Sequence, residues 1–283
     1  MHIRLHLTRA VAVLFWVNST LALAQTTPIV RLECTQATFP SCGWSSLPDT
    51  SYATKRWVAG AGPQGQDVAQ FDLVPSSTHS QFYLGWGTSV PVAPQGSTRY
   101  IRLRIRFLAP LNLTGNPPEG AWTDKFIILG DGSDSTSRVI VELRPTTSVS
   151  SVSTRIQRNI DGEPNRTSPV DLEANTWHSI QYEIRSSSAS AANARLAFWL
   201  NGANANHGAP TAQSGSFVLN THQWSNLNIG YYSNGSLAPN GRLSFQIAGA
   251  EYDDEFDPNW GSGTGQATPP SPPRNLRTSS GGR

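Results

Sequence analysis

Three arginines stand at alternate positions, Arg102, Arg104 and Arg106, with Tyr100 in the same phase. On an extended chain side chains two apart share a face, and guanidinium groups so arrayed can take carboxylate or sulfate in bidentate fashion. This segment is therefore a candidate floor for an anionic ligand, and equally it fits the polar face of a half-exposed strand. Near the other end Glu251, Asp253 and Glu255 repeat with the same period and Asp254 falls opposite. Paired carboxylates can serve as nucleophile and acid in hydrolysis, and the same row fits a terminal strand that is solvated or helped by a structural Ca²⁺. Trp86 in Leu-Gly-Trp-Gly and Trp122 in Gly-Ala-Trp are flanked by glycine, a loop-like setting from which an indole could stack on a sugar ring. His178 alternates with Ile180, Tyr182 and Ile184, which marks it as a structural residue on an apolar face.

The ends of the chain set the compartment. A basic start, Met-His-Ile-Arg-Leu-His-Leu-Thr-Arg, runs into an apolar stretch that closes on Ala22-Leu23-Ala24. This is the pattern of a cleavable secretory signal over residues 1–24, with a mature start at Gln25, in a periplasmic or extracellular protein. Later apolar runs are too short for a membrane helix, so no membrane partner is expected. Cys34 and Cys42 are the only cysteines. In an exported chain they are expected to pair, and closing so short a loop contributes about 2 to 3 kcal/mol. Formal net charge is only +2, which gives no polyelectrolyte field for nucleic acid.

Positioning these residues falls to β-strands. Ser, Thr, Asn and Gly are abundant, and no segment keeps a helical period. Residues 100–107 alternate cleanly, with Ile101, Leu103, Ile105 and Phe107 facing a core. Residues 125–130 and 138–143 read as one pair of strands, and 177–185 with 195–200 as the next. The run Phe126-Ile127-Ile128-Leu129 suggests a strand buried on both faces. Strands at 217–219, 227–232 and 243–250 follow, giving about ten that must pack as two sheets. The organisation expected is an N-terminal disulfide segment at 25–52, one domain at 53–260, and a Pro/Gly/Ser-rich tail at 261–283 without a fold of its own.

Four segments in succession resemble the concanavalin A-like lectin/glucanase superfamily, and within it the bacterial polysaccharide-lyase-like jelly rolls. They are Arg99-Tyr100-Ile101-Arg102-Leu103-Arg104, Asp124-Lys125-Phe126-Ile127-Ile128-Leu129-Gly130, Thr176-Trp177-His178 leading to Trp199-Leu200-Asn201-Gly202, and Asn228-Ile229-Gly230-Tyr231-Tyr232. The resemblance implies an all-β jelly-roll sandwich of two antiparallel sheets. It also implies a monomeric, secreted domain that binds an acidic polysaccharide with Tyr100, Arg102, Arg106, Trp86 and Trp122, and needs no cofactor beyond the Ca²⁺ allowed above. The alternative that it implies is a lyase cleaving a uronate polymer by β-elimination. There Tyr232, in the Gly-x-Tyr strand, would be the catalytic acid or base and Arg104 the carboxylate clamp, while Lys125 caps the core. Unlike the alginate-lyase families, the chain has no Gln-x-His strand to supply a glutamine and a histidine.

Overall fold

Period-two alternation of apolar and polar residues builds two antiparallel sheets that share one core. The computed structural model describes residues 28–32, 34–42, 45–46, 53–73, 82–111, 124–130, 137–146, 148–158, 165–201, 205–221, 224–233 and 242–260. In chain order the strands are β1 (Val30–Leu32), β2 (Ser45–Ser46), β3 (Ala53–Val58), β4 (Val68–Leu73), β5 (Phe82–Ser89), β6 (Thr98–Phe107), β7 (Asp124–Leu129) and β8 (Val139–Pro145). They continue with β9 (Ser151–Arg158), β10 (Val170–Glu173), β11 (Trp177–Arg185), β12 (Ala194–Leu200), β13 (Ala212–Phe217), β14 (Asn226–Ser233) and β15 (Leu243–Asp253). The first sheet runs β13-β12-β11-β6-β15-β4-β3, with β1 also on β15, and the second runs β10-β9-β8-β7-β14-β5-β2. The fold is thus an all-β sandwich of the jelly-roll kind, without a helix among the described residues.

Alternation decides which residues meet between the sheets. Ile101, Leu103, Ile105 and Phe107 of β6 face Val139, Val141 and Leu143 of β8 and Leu227, Ile229 and Tyr231 of β14 across one buried cluster. Phe71 stacks on Phe245 at 4.8 Å and meets Trp86 edge-on at the same distance. Burial of each such side chain contributes about 1.5 to 3 kcal/mol, which drives the two layers together.

Trp86 therefore departs from its expected place. It lies within β5, wholly buried, and its Nε1 donates to the Pro40 carbonyl at 2.7 Å. The glycine before it serves the backbone. Gly85 pairs with Gly230 of β14, and a Cβ on Gly85 would stand 2.1 Å from the Ile229 carbonyl oxygen. Only glycine lets these strands approach so closely. The bond to Pro40 also fastens β5 to the loop closed by the Cys34–Cys42 disulfide.

Most expected strands are present, and two expectations shift. The strand placed at 217–219 is β13, which ends at Phe217. Strands β9 and β10 extend the second sheet beyond what the sequence pattern suggested. The run in β7 is buried throughout, as expected, with a register shift between Lys125 and Ile127.

Candidate functional site

The sandwich has two outer faces, and the arginine strand lies on that of the first sheet. Arg102 sits there but is no exposed floor: its side chain is 2% exposed. Its Nη1 lies 2.8 Å from Asp253 Oδ2 and 3.2 Å from Glu251 Oε2, while Nε donates to Gln181 Oε1 at 2.8 Å. Glu251 also pairs with Arg31 of β1 at 2.8 Å. The acidic end of β15 is consequently a buried ion cluster and not a solvated strand. Among the described residues no group of three or more metal-ligating side chains is assembled.

Residues 254–260 cross this face as a strap. Arg102 Nη2 donates to the Glu255 carbonyl, Gln181 Nε2 to the Asp257 carbonyl at 3.1 Å, and Arg104 Nη2 to the Trp260 carbonyl at 3.3 Å. Tyr100 lies beneath the strap, buried against Phe256, with its hydroxyl 3.1 Å from His207 Nε2 and 3.4 Å from Glu183 Oε2. Burial, then the Glu183 charge, raises its pKa well above the ordinary phenol value. Tyr100 and Arg102 are thus structural in their contacts. Arg104 and Arg106 are half-buried, their guanidinium groups resting over the Trp260 and Trp177 rings at 4.8 and 5.0 Å.

Tyr232 does not join them. It belongs to β14 in the second sheet, whereas Arg104 projects from the first sheet onto the strap. The strands that carry the two residues thus lie in different layers of the sandwich, about 10 Å apart. Tyr231, its neighbour, is buried in the shared core. His178 is buried too, with Nε2 2.9 Å from the Glu173 carbonyl and Nδ1 3.2 Å from Asn201 Nδ2, a structural setting. Trp122, the segment 1–24 and the tail 261–283 lie outside the described residues, as does the side chain of Tyr232.

What the strand register places beside Tyr232 is a row of ionisable residues. Tyr232 pairs with Lys125 of β7, Lys125 with Glu142 of β8, and Glu142 with Arg155 of β9. In β8 and β9 these alternate with core-facing Val141, Leu143 and Ile156, which puts Glu142 and Arg155 on the outer face. Glu142 is wholly buried and divides its oxygens between two donors, Arg155 Nε at 2.5 Å and Gln157 Nε2 at 2.6 Å. Arg144 and Arg166 lie near enough to repel the Arg155 charge. Burial lowers the Arg155 pKa, Glu142 opposes it, and those two cations add smaller downward contributions.

Cations gather on this part of the sheet: Lys125 and Arg155 flank Glu142 in register, and Arg144 and Arg166 act on Arg155, with Asp171 of β10 held by Ser153 at the margin. Such a face is suited to anions. Sequence reading passed over Glu142, Arg144, Arg155 and Gln157. The available signal was polar residues at period two in Val-Ile-Val-Glu-Leu-Arg and Ser-Val-Ser-Thr-Arg-Ile-Gln-Arg.

No family model and no curated protein matches this chain. Solved structures do. An endo-β-1,4-glucuronan lyase from the fungus Trichoderma reesei superposes with a TM-score of 0.54 at 9% identity, covering 81% of this chain and 97% of that one. A PL-14 alginate lyase from Aplysia kurodai gives 0.45 at 9% identity, covering 81% and 100%. A Shewanella oneidensis protein of unknown function gives 0.46 at 13% identity, covering 86% and 95%. At such identities the likeness is one of fold.

Proposed function

We propose that this chain is a polysaccharide lyase acting on a uronate-containing polymer, with its active face on the outer side of the second sheet. The carrying observation is the cross-strand row Tyr232–Lys125–Glu142–Arg155 with Arg144 and Arg166 beside it. The fold it shares with a glucuronan lyase supports the reading.

Elimination removes the C5 proton α to the uronate carboxylate. The C4–O4 bond then breaks with its electron pair going to O4, which takes up a proton, and a C4=C5 double bond remains. Three jobs follow for the chain. The carboxylate must be neutralised so that the α-proton becomes acidic, the part proposed for Arg155 and Arg144. A group must take one proton and return another, the part proposed for Tyr232. Glu142 is a positioning residue, fixing Arg155 and Gln157 through its two oxygens. Export through a signal at 1–24 would bring the protein to such polymers.

The test is to incubate the protein with glucuronan, alginate and a neutral glucan, following ultraviolet absorbance and product masses. Elimination predicts growth of the unsaturated-uronate band and products one water lighter than hydrolysis products, from uronate polymers alone. Hydrated products would make it a hydrolase. Binding without new chain ends would make it a binding domain.

A further inference from the structure

We infer that the outer face of the first sheet carries a second, non-catalytic site for an anionic polysaccharide, centred on Arg104 and Arg106. The site stands without the elimination chemistry. Only the suggestion that its ligand is also the substrate rests on that proposal.

Two half-buried cations that form no ion pair among the described residues carry the inference. Arg102, one step along the same strand face, has two carboxylates. Arg104 and Arg106 form no ion pair among the described residues, and burial lowers the pKa of both below the ordinary guanidinium value. Glu251 and Asp257 act on Arg104 only from beyond ion-pair distance. Asp72 is taken by Gln70 Nε2 at 2.9 Å and Arg56 Nε at 3.2 Å, and Asp67 by Trp57 Nε1 at 3.1 Å and the Gly60 amide at 2.9 Å. A partly desolvated charge left unpaired costs free energy that a bound anion would offset.

Donors are also left over. Arg104 uses Nη2 on the Trp260 carbonyl, and Arg106 uses Nε and Nη2 on Gln246 Oε1 and the Ala61 carbonyl. Among the described residues Arg104 Nε and Nη1 and Arg106 Nη1 have no protein partner. The indoles of Trp260 and Trp177 support these groups from one side, which holds them in place.

The row that holds these arginines extends across the sheet, the dimension of a polymer and not of a small anion. Trp177, Arg106, Gln246, Gln70 and Arg56 stand in register across β11, β6, β15, β4 and β3. Gln246 Nε2 donates to Gln70 Oε1 at 2.7 Å, so the amides form a fixed ladder from Arg106 to Asp72. Five strands span roughly 19 Å, the length of several sugar rings. Gln70, Gln246 and Trp260 are buried here and hold the arginines in place, while the guanidinium groups suit the carboxylates or sulfates of a polymer that crosses the row. A polymer held here would leave the opposite face of the sandwich open to act.

The experiment uses the full chain carrying Tyr232→Phe, so that the polymer stays intact, in native gels cast with polyglucuronate, dextran sulfate or dextran. Retardation is expected from polyglucuronate, dextran sulfate or both, and not from dextran; the first alone indicates carboxylate recognition, the second alone sulfate. Arg104→Gln with Arg106→Gln should weaken binding about tenfold or more, consistent with losing two charge-assisted contacts. Arg106→Gln alone, at the less buried position, should weaken it about threefold and keeps the test decisive if the double variant does not fold. The inference is overturned if the folded variants bind as the parent does, if dextran binds as well as the polyanions, or if the parent is not retarded. Loss of binding in the variants from a chain that makes no unsaturated products would sustain this site and sink the lyase reading. Elimination with unchanged binding would do the reverse.

Discussion

Arg102 and Asp253, 151 residues apart in sequence, meet at 2.8 Å with both side chains 2% exposed. Together with Glu251 and Gln181 they tie β15 to β6 and β11 within the first sheet and hold the strap over it. Removing one partner of a buried pair strands the other charge, so Asp253→Ala should destabilise the fold by about 3 to 5 kcal/mol in urea melts. Arg102→Met, which leaves two carboxylates close together, should cost at least as much. A loss under about 1 kcal/mol for Asp253→Ala would mean that the cluster is solvated in the native state.

Three buried phenols set the alkaline limit of stability. Burial raises Tyr100 and Tyr182 far above their ordinary value, and pushes Tyr252 up to about 12 despite nearby Arg99. A raised folded-state pKa favours the protonated native form. The stability so contributed is intact below about pH 10, where unfolded tyrosines ionise, and declines as pH rises beyond it. Titration should show these three phenolates appearing only with loss of near-ultraviolet circular dichroism. Their ionisation near pH 10 in a folded chain would contradict the burial.

Sequence pattern made the strands legible where alternation was strong, as in β6, β11 and β15, because period two with one apolar face leaves little choice of register. It was weak in β9, where Val152 and Ile156 are the large apolar residues of the strand and serine and threonine fill the spacing. The site was harder to read, for a nonlocal reason. Arg102, Arg104 and Arg106 look equivalent along their strand, and only β15, arriving 149 residues later, neutralises the first and spares the others. Glycine around Trp86 suggested a loop, whereas Gly85 serves the close approach of β5 to β14. Tyr232 and Arg104 were paired by chemistry, yet topology puts them in different layers.

Export and oxidation give a further expectation. The secreted protein should begin at Gln25 and resist alkylation until reduced, since Cys34 and Cys42 are bonded. Replacing both by serine should cost about 2 to 3 kcal/mol, the loop-closure value. Intact mass and a urea melt check the two points; a mass that keeps residues 1–24, or an unchanged midpoint, would refute them.

The central claim is that the second sheet's outer face performs elimination, and the most direct measurement is the initial rate of unsaturated-uronate absorbance for Tyr232→Phe on glucuronan beside the parent. The account predicts a folded variant that still binds polymer and whose rate falls by about 10² to 10⁴, the usual cost of losing a general acid or base. Glu142→Gln should also slow turnover by loosening Arg155 and Gln157, while Arg104→Gln, on the other face of the sandwich, should leave the rate on short oligouronates within about twofold. A parental rate for Tyr232→Phe, or a collapse with Arg104→Gln and not with Glu142→Gln, would contradict the assignment of chemistry to this face.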